Sequence, residues 1–161
     1  MRTHVSESYA RLAIRDLSNR SLLENSSTIH VSKSISTERQ RLFQALTLPE
    51  YVEAWLILPG MPQGGSMVTA NQNSFSIRCV DAERGLVNIL CSHRAHRRSR
   101  LLIDWKYQSS SMLNVSIVDI RLMGDFERTT LELIHIGLHE SVMPWHQQFW
   151  NASLTQLSKL F

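Results

Sequence analysis

The chain has 161 residues, 43% of them apolar and 19% charged, with a net charge of +3, values that fit one globular domain able to bury roughly 70% of its unfolded surface. No run approaches the ~18 apolar residues of a membrane-spanning helix. The amino terminus scatters arginines and acids among its apolar residues, unlike a secretory signal, so no membrane insertion and a cytoplasmic location are expected.

Residues 1–27 hold one short amphipathic stretch, Tyr9 to Leu17, and then the polar run Asn25 to Thr28. They are expected to form an N-terminal extension ahead of a single domain spanning 28–161. The first predicted strand is Thr28 to Ile35, with Ile29, Val31 and Ile35 on one parity and His30, Ser32 and Ser34 on the other. Lys33 interrupts the apolar side, as a residue near a sheet edge does. Two short helices are predicted next. Ser36 or Thr37 caps the first, with Gln40 completing a capping box with Thr37, and Leu42, Phe43 and Leu46 form its buried stripe. Thr47 and Glu50 repeat the capping pattern for the second, which has Pro49 in its first turn and Tyr51, Val52, Trp55 and Leu56 as apolar residues. Pro59, Gly60, Pro62, Gly64 and Gly65 then make a loop.

From Ser66 to Leu138 the pattern is an antiparallel meander. Met67 to Ala70 is a short strand and Asn71 to Asn73 a turn, after which Phe75, Ile77 and Cys79 alternate with polar residues. Asp81 to Gly85 turns the chain into Leu86 to Ser92. With the turn centred there, Cys79 opposes a residue near 87, which leaves Cys91 roughly 13 Å further along at ~3.3 Å per residue. A disulfide does not close at that distance, so both thiols are expected to be reduced and packed. In Leu101 to Gln108, Leu101, Ile103, Trp105 and Tyr107 share a face opposite Asp104 and Lys106. Met112 to Leu122 is a strand of weak alternation. Thr129 to Leu138 alternates cleanly, with Leu131, Leu133, His135 and Gly137 on one face. The last element, Pro144 to Phe161, places His146, Trp150, Leu154, Leu157 and Phe161 on one helical stripe. Strands joined by polar turns, two helices after the first strand and one at the end describe an α+β fold with its helices on one face of the sheet.

The basic residues are unbalanced in kind, fourteen Arg against three Lys, and only His93 to Arg100 (HRAHRRSR) clusters them. That cluster reads as a solvated hairpin tip, with an anionic ligand, nucleic acid or membrane surface as the functional alternative. Nucleic acid is not expected, because its binders carry a wider basic face with aromatic platforms. His135, His139 and His146 lack a zinc spacing, and His93-x-x-His96 belongs to the basic tip, so no metal or other cofactor is expected. The chain contains no Gly-x-Ser-x-Gly, His-Glu-x-x-His or phosphate-loop motif, and no Cys beside a His.

The run Thr129-x-Leu131-x-Leu133-x-His135-x-Gly137-Leu138, followed by Trp150, Leu154 and Leu157, resembles the C-terminal signature of the START-like, or SRPBCC, superfamily. Its similarity is to the branch named after the activator of a heat-shock chaperone's ATPase. Ile29 to Ile35, then Leu42-Phe43-x-Ala45-Leu46-Thr47-x-Pro49-Glu50 and Trp55, are similar to that branch's entry segment, and Leu101-x-Ile103-x-Trp105 to its middle. The matched positions, over residues 28–161, are packing positions, and so they specify a fold more than an activity. Phe149 departs from the family, which commonly carries Gly there, and the stretch between the Gly-rich loop and Trp105 is short.

The resemblance implies a helix-grip fold, a curved antiparallel sheet wrapped around a long C-terminal helix with a mainly apolar cavity between them. The implied ligand-facing residues are Phe75, Ile77, Ile103, Trp105, Leu133 and His135 on the sheet, Trp150 and Leu154 on the helix, and Trp55 near the entrance. His135 and Tyr107 supply the polar groups. The same residues also have a packing reading, in which the tryptophans are core and His135 is a neutral, hydrogen-bonded core histidine. Three roles follow: a non-enzymatic module for a small hydrophobic molecule, an interaction protein of the co-chaperone kind (with a protein partner or as a homodimer), or a small cyclase-like or hydrolase-like enzyme using His135 or Tyr107. The first is the leading expectation, since the fold itself forms the cavity.

Overall fold

The computed structural model of the protein describes residues 26–58 and 66–161. The expected N-terminal extension, with its Tyr9 to Leu17 stretch, and the Pro/Gly loop over 59–65 lie outside those residues. The described strands are β1 (Ser26–Ile35), β2 (Ser66–Ala70), β3 (Ser74–Asp81), β4 (Gly85–Arg97), β5 (Arg100–Gln108), β6 (Leu113–Gly124) and β7 (Thr129–His139). They form one antiparallel sheet in the order β1-β7-β6-β5-β4-β3-β2. Helices α1 (Arg39–Thr47) and α2 (Pro49–Trp55) follow β1, and α3 (Met143–Ser158) follows β7 through a tight turn at Glu140–Val142. This is the α+β arrangement expected.

Alternation sets the inner face. Phe75, Ile77 and Cys79 of β3, Val87, Ile89 and Cys91 of β4, Leu101, Ile103, Trp105 and Tyr107 of β5, and Leu131 and Leu133 of β7 are all buried in one continuous core with the helices. Cys79 pairs with Val87 and Phe75 with Cys91 across the β3–β4 ladder, so the two thiols stand apart and free, as the turn position requires. Burial holds both thiols protonated, Cys79 up to about 11 and Cys91 well above its ordinary value. β1 is an edge strand, and Lys33 uses its stem to reach α3, donating from Nζ to Thr155 Oγ1 at 3.4 Å.

Weak alternation in β6 has a cause. Its inner row changes from apolar (Val118, Ile120, Leu122) to polar (Asn114, Ser116), while Ile117 on the outer row is also buried. Paired β6–β7 residues begin at Ile117 and Ile136. Gly137 lies at φ 90, a backbone that only glycine adopts cheaply, and it brings the next residue, Leu138, into the core. Asn114 bridges the gap in the ladder, donating Nδ2–H to the Gly137 carbonyl at 3.0 Å and accepting the His139 N–H at 3.0 Å.

Several local expectations are corrected. The capping boxes do not form: Glu38 and Leu48 are the N-cap residues of α1 and α2, and neither side chain caps. Thr37 is held at the end of β1, where its carbonyl accepts from Thr129 Oγ1 at 2.8 Å. Thr47 bonds backward, to the Phe43 carbonyl at 2.8 Å, because it closes α1 rather than opening α2. Pro49 does occupy the first turn of α2. Tyr51 is exposed. The last helix ends at Ser158, so Phe161 lies beyond it, partly exposed, with the Arg41 guanidinium 5.7 Å from its ring centroid. The basic cluster is mostly strand: β4 runs to Arg97 and β5 starts at Arg100.

Candidate functional site

The inner layer of the sheet and α3 meet in a cluster of rings. All ten side chains named for this space are buried. Trp105 of β5 is at its centre, with ring centroids 5.1 Å from Trp150, 5.7 Å from Phe149, 5.3 Å from His135 and 6.0 Å from Phe75. Trp55 is placed differently. Its indole N–H donates to the Ala45 carbonyl at 2.8 Å, which joins α2 to α1.

The helix buries two adjacent rows. His146, Trp150, Leu154 and Leu157 form the expected one, and Trp145, Phe149 and Ser153 form a second beside it. Trp145 and Phe149 are stacked, 5.5 Å apart at 3°. Ser153 uses its hydroxyl both ways with Ile57, accepting from the N–H at 3.1 Å and donating to the carbonyl at 3.1 Å, and so fastens the segment after α2 to the helix.

Two histidines lie within this apolar cluster, their ring centroids 5.1 Å apart, and every ring nitrogen is used. Trp105 Nε1–H donates to His146 Nε2 at 3.1 Å, so the proton of a neutral His146 sits on Nδ1 and is donated to the Val142 carbonyl at 2.8 Å. Trp150 Nε1–H donates to His135 Nδ1 at 3.0 Å, which puts the His135 proton on Nε2, donated to Ser116 Oγ at 2.7 Å. Ser116 in turn faces the Trp105 carbonyl at 3.4 Å. Burial lowers both pKa values. His135 falls well below its ordinary value, with the neighbouring His146 adding to the effect. His146 falls to about 4, burial outweighing the Val142 carbonyl, with Arg84 lowering it further. Both rings are neutral at pH 7.

That proton arrangement decides the chemistry of the Ser116–His135 pair. At 2.7 Å the pair has nucleophile–base spacing, but in a catalytic triad the outer ring nitrogen donates to a carboxylate, leaving the inner one free to take the serine proton. Here an indole N–H occupies the outer nitrogen, so the inner one already carries its hydrogen. Among the described residues no three His, Cys, Asp or Glu side chains stand together as a metal site.

Tyr107 is the exception to this satisfaction. Its hydroxyl is buried and makes no well-formed hydrogen bond, the Ser109 side chain being its one candidate partner among the described residues. Burial raises its pKa, against the opposing charge of Arg84 and the Ser109 side chain. The ring packs 5.4 Å from His146 and 5.8 Å from Trp145, at the end of the cluster where α3 begins. On the opposite face of the sheet a shallow cavity of about 170 Å³, lined by Met67, Thr69, Arg78, Asn88 and Leu90 among others, is smaller than the ~300 Å³ at which small-molecule sites begin.

Sequence reasoning placed His146 on the correct stripe without seeing it as half of a pair, and it missed Ser116 and Trp145. Ser116 was detectable as a small polar residue on the inward parity of β6. Trp145 was not, since one apolar stripe already accounted for the helix.

No family model matches the chain, and no curated protein does. Solved structures do. CV1439 from Chromobacterium violaceum is 17% identical, with a TM-score of 0.68 over 83% of this chain and 95% of its own. MLL2253 from Mesorhizobium loti is 21% identical, with a TM-score of 0.61 over 83% and 96%. CalU16 from Micromonospora echinospora is 16% identical, with a TM-score of 0.59 over 84% and 74%. At these identities the likeness speaks for architecture alone: the chain has a helix-grip-like fold, seven antiparallel strands packed on a long C-terminal helix.

Proposed function

We propose that the protein binds a small, mainly apolar molecule between the sheet and α3, with a hydrogen-bond acceptor on that molecule meeting Tyr107. The carrying observation is the buried Tyr107 hydroxyl, which makes no well-formed hydrogen bond within the described residues. An unmet buried donor costs roughly 1–3 kcal/mol, and a ligand carbonyl or ether oxygen would remove that cost on binding. The lining supports the class of ligand. Trp145, Phe149 and Trp105 offer ring faces, and Trp145, at 9% the most exposed of the buried α3 aromatics, stands where a ligand would enter. A further structural neighbour is DynU16, a protein in the dynemicin biosynthetic locus, with a TM-score of 0.55 at 21% identity over 82% of this chain and 46% of its own, and a biosynthetic setting suits a small-molecule ligand.

Native mass spectrometry of freshly purified protein, followed by solvent extraction, tests the reading. A co-purifying apolar molecule that Tyr107→Phe retains less well is the expected result. A clean apo mass, with no thermal shift across a lipid and polyketide panel, would overturn it.

A second reading, a protein partner or homodimer, is favoured by the outer sheet face. Val80, Leu86, Leu90, Leu113 and Val115 are exposed on adjoining strands there. A stable interface buries at least ~1,200 Å², and light scattering on a concentration series distinguishes a dimer from a monomer.

A further inference from the structure

We propose that the end of the sheet formed by the β4–β5 and β6–β7 turns docks on the surface of an anionic phospholipid bilayer. This inference is independent of the ligand reading. Phe126, at the tip of the β6–β7 turn, is 88% exposed, more than any other large apolar side chain among the described residues, and Met123 beside it is 54% exposed. The turn that presents Phe126 is fixed. Asp125 Oδ1 accepts the N–H groups of Glu127 and Arg128, both at 3.0 Å, and the Asp125 N–H donates to the Arg128 carbonyl at 3.1 Å. A Cβ on Gly124 would meet the Arg128 carbonyl oxygen at 2.2 Å, so the turn closes more tightly than any other residue allows. Thr129 then anchors it to the end of β1 through the Thr37 carbonyl.

The neighbouring turn supplies the charge. Leu122 N–H donates to the Ser99 carbonyl at 2.8 Å, so the β4–β5 turn abuts β6 one residue before Met123, and Arg97 and Arg98, at the end of β4, are both exposed. Behind them Arg100 and Arg121 both bind Asp119, with Nη2 contacts of 2.9 Å each, so one carboxylate faces two guanidinium groups. Arg128, two residues after Phe126 in the same turn, is exposed. This end of the sheet therefore sets Arg97, Arg98, Arg100, Arg121 and Arg128 against Asp119, Asp125 and Glu127.

An exposed phenylalanine and methionine beside a turn that carries exposed arginines match a bilayer interface, where the ring inserts below the headgroups while arginines meet phosphate. Single-stranded nucleic acid fits less well, because it needs successive aromatic platforms along a basic track, and here one ring projects alone between two carboxylates.

Flotation of the full chain with phosphatidylcholine vesicles, with and without phosphatidylserine, tests the proposal. Expected is binding to the serine-containing vesicles only, weakening as salt rises. Phe126→Ala should lower partitioning roughly tenfold, and Arg97→Gln and Arg98→Gln about fivefold each. All three side chains are exposed, so unchanged melting temperatures should accompany these losses. The emission of a Phe126→Trp variant should shift to the blue on those vesicles. No flotation at low salt, flotation that Phe126→Ala leaves intact, or retention of DNA or RNA without vesicle binding would each overturn the proposal.

Discussion

The middle of the sheet–helix space and its Tyr107 end are built from the same kinds of residue, yet they treat polar atoms in opposite ways. In the middle, Trp105, Trp150, His135, His146 and Ser116 form a network in which every indole N–H and ring nitrogen has a partner. At the end, a few ångströms from His146, the Tyr107 hydroxyl makes no well-formed bond within the described residues. A fully satisfied buried network specifies a unique core. A poorly met donor in the same core weakens it. The middle therefore holds the fold together, and the Tyr107 end is where the proposed ligand would bind.

Acid should break the middle first, and by the largest amount. Each histidine has a folded-state pKa below the ordinary 6.5, so above that pH both the folded and unfolded states are neutral and the full stability is present. As pH falls from about 6.5 toward about 4, the unfolded chain takes up protons that the folded chain refuses, and stability drops. With His146 lowered to about 4, it alone accounts for about 3 kcal/mol over that window, and His135 adds to it. Urea midpoints at a series of pH values measure the loss. A flat profile would mean that the rings are not neutral and buried.

Single donors of the network come next. Trp150→Phe leaves His135 Nδ1 buried and unmet, and Trp105→Phe does the same to His146 Nε2, so each should cost about 2–3 kcal/mol in denaturant unfolding. Tyr107→Phe should act in the opposite direction. Removing the poorly met hydroxyl should stabilise the ligand-free protein by about 1 kcal/mol, or roughly 3 °C in melting temperature, while weakening retention of any co-purified ligand. A destabilised Tyr107→Phe variant would erase the contrast between the two ends. Smallest is Phe126→Ala, expected to leave folding stability within about 0.5 kcal/mol, since its ring lies almost wholly in solvent.

Much of the architecture was legible in the chain itself. The alternation of Phe75, Ile77 and Cys79, with a turn at Asp81 to Gly85, predicted the Cys79–Val87 pairing, because a period of two and a short turn leave little freedom of register. Lys33 announced an edge strand. The capping boxes failed for the opposite reason. Four-residue patterns are local: Thr37 is fixed at the end of β1 by the Thr129 hydroxyl bonding its carbonyl, and the Thr47 hydroxyl turns back to the preceding turn of α1.

The candidate site was legible as a list and not as an arrangement. By itself the sequence determined which residues face inward, since period-2 and period-3.6 patterns are properties of the backbone that apolar burial selects. Only the tertiary structure decided what those residues do to one another. It set Trp150 rather than a carboxylate against His135, paired His146 with Trp105 across the sheet–helix boundary, brought Ser116 under the ring and left Tyr107 poorly met. Each of these depends on where atoms far apart in the chain come to rest, and the directional bonds of a buried polar group, unlike apolar burial, have no period along the sequence.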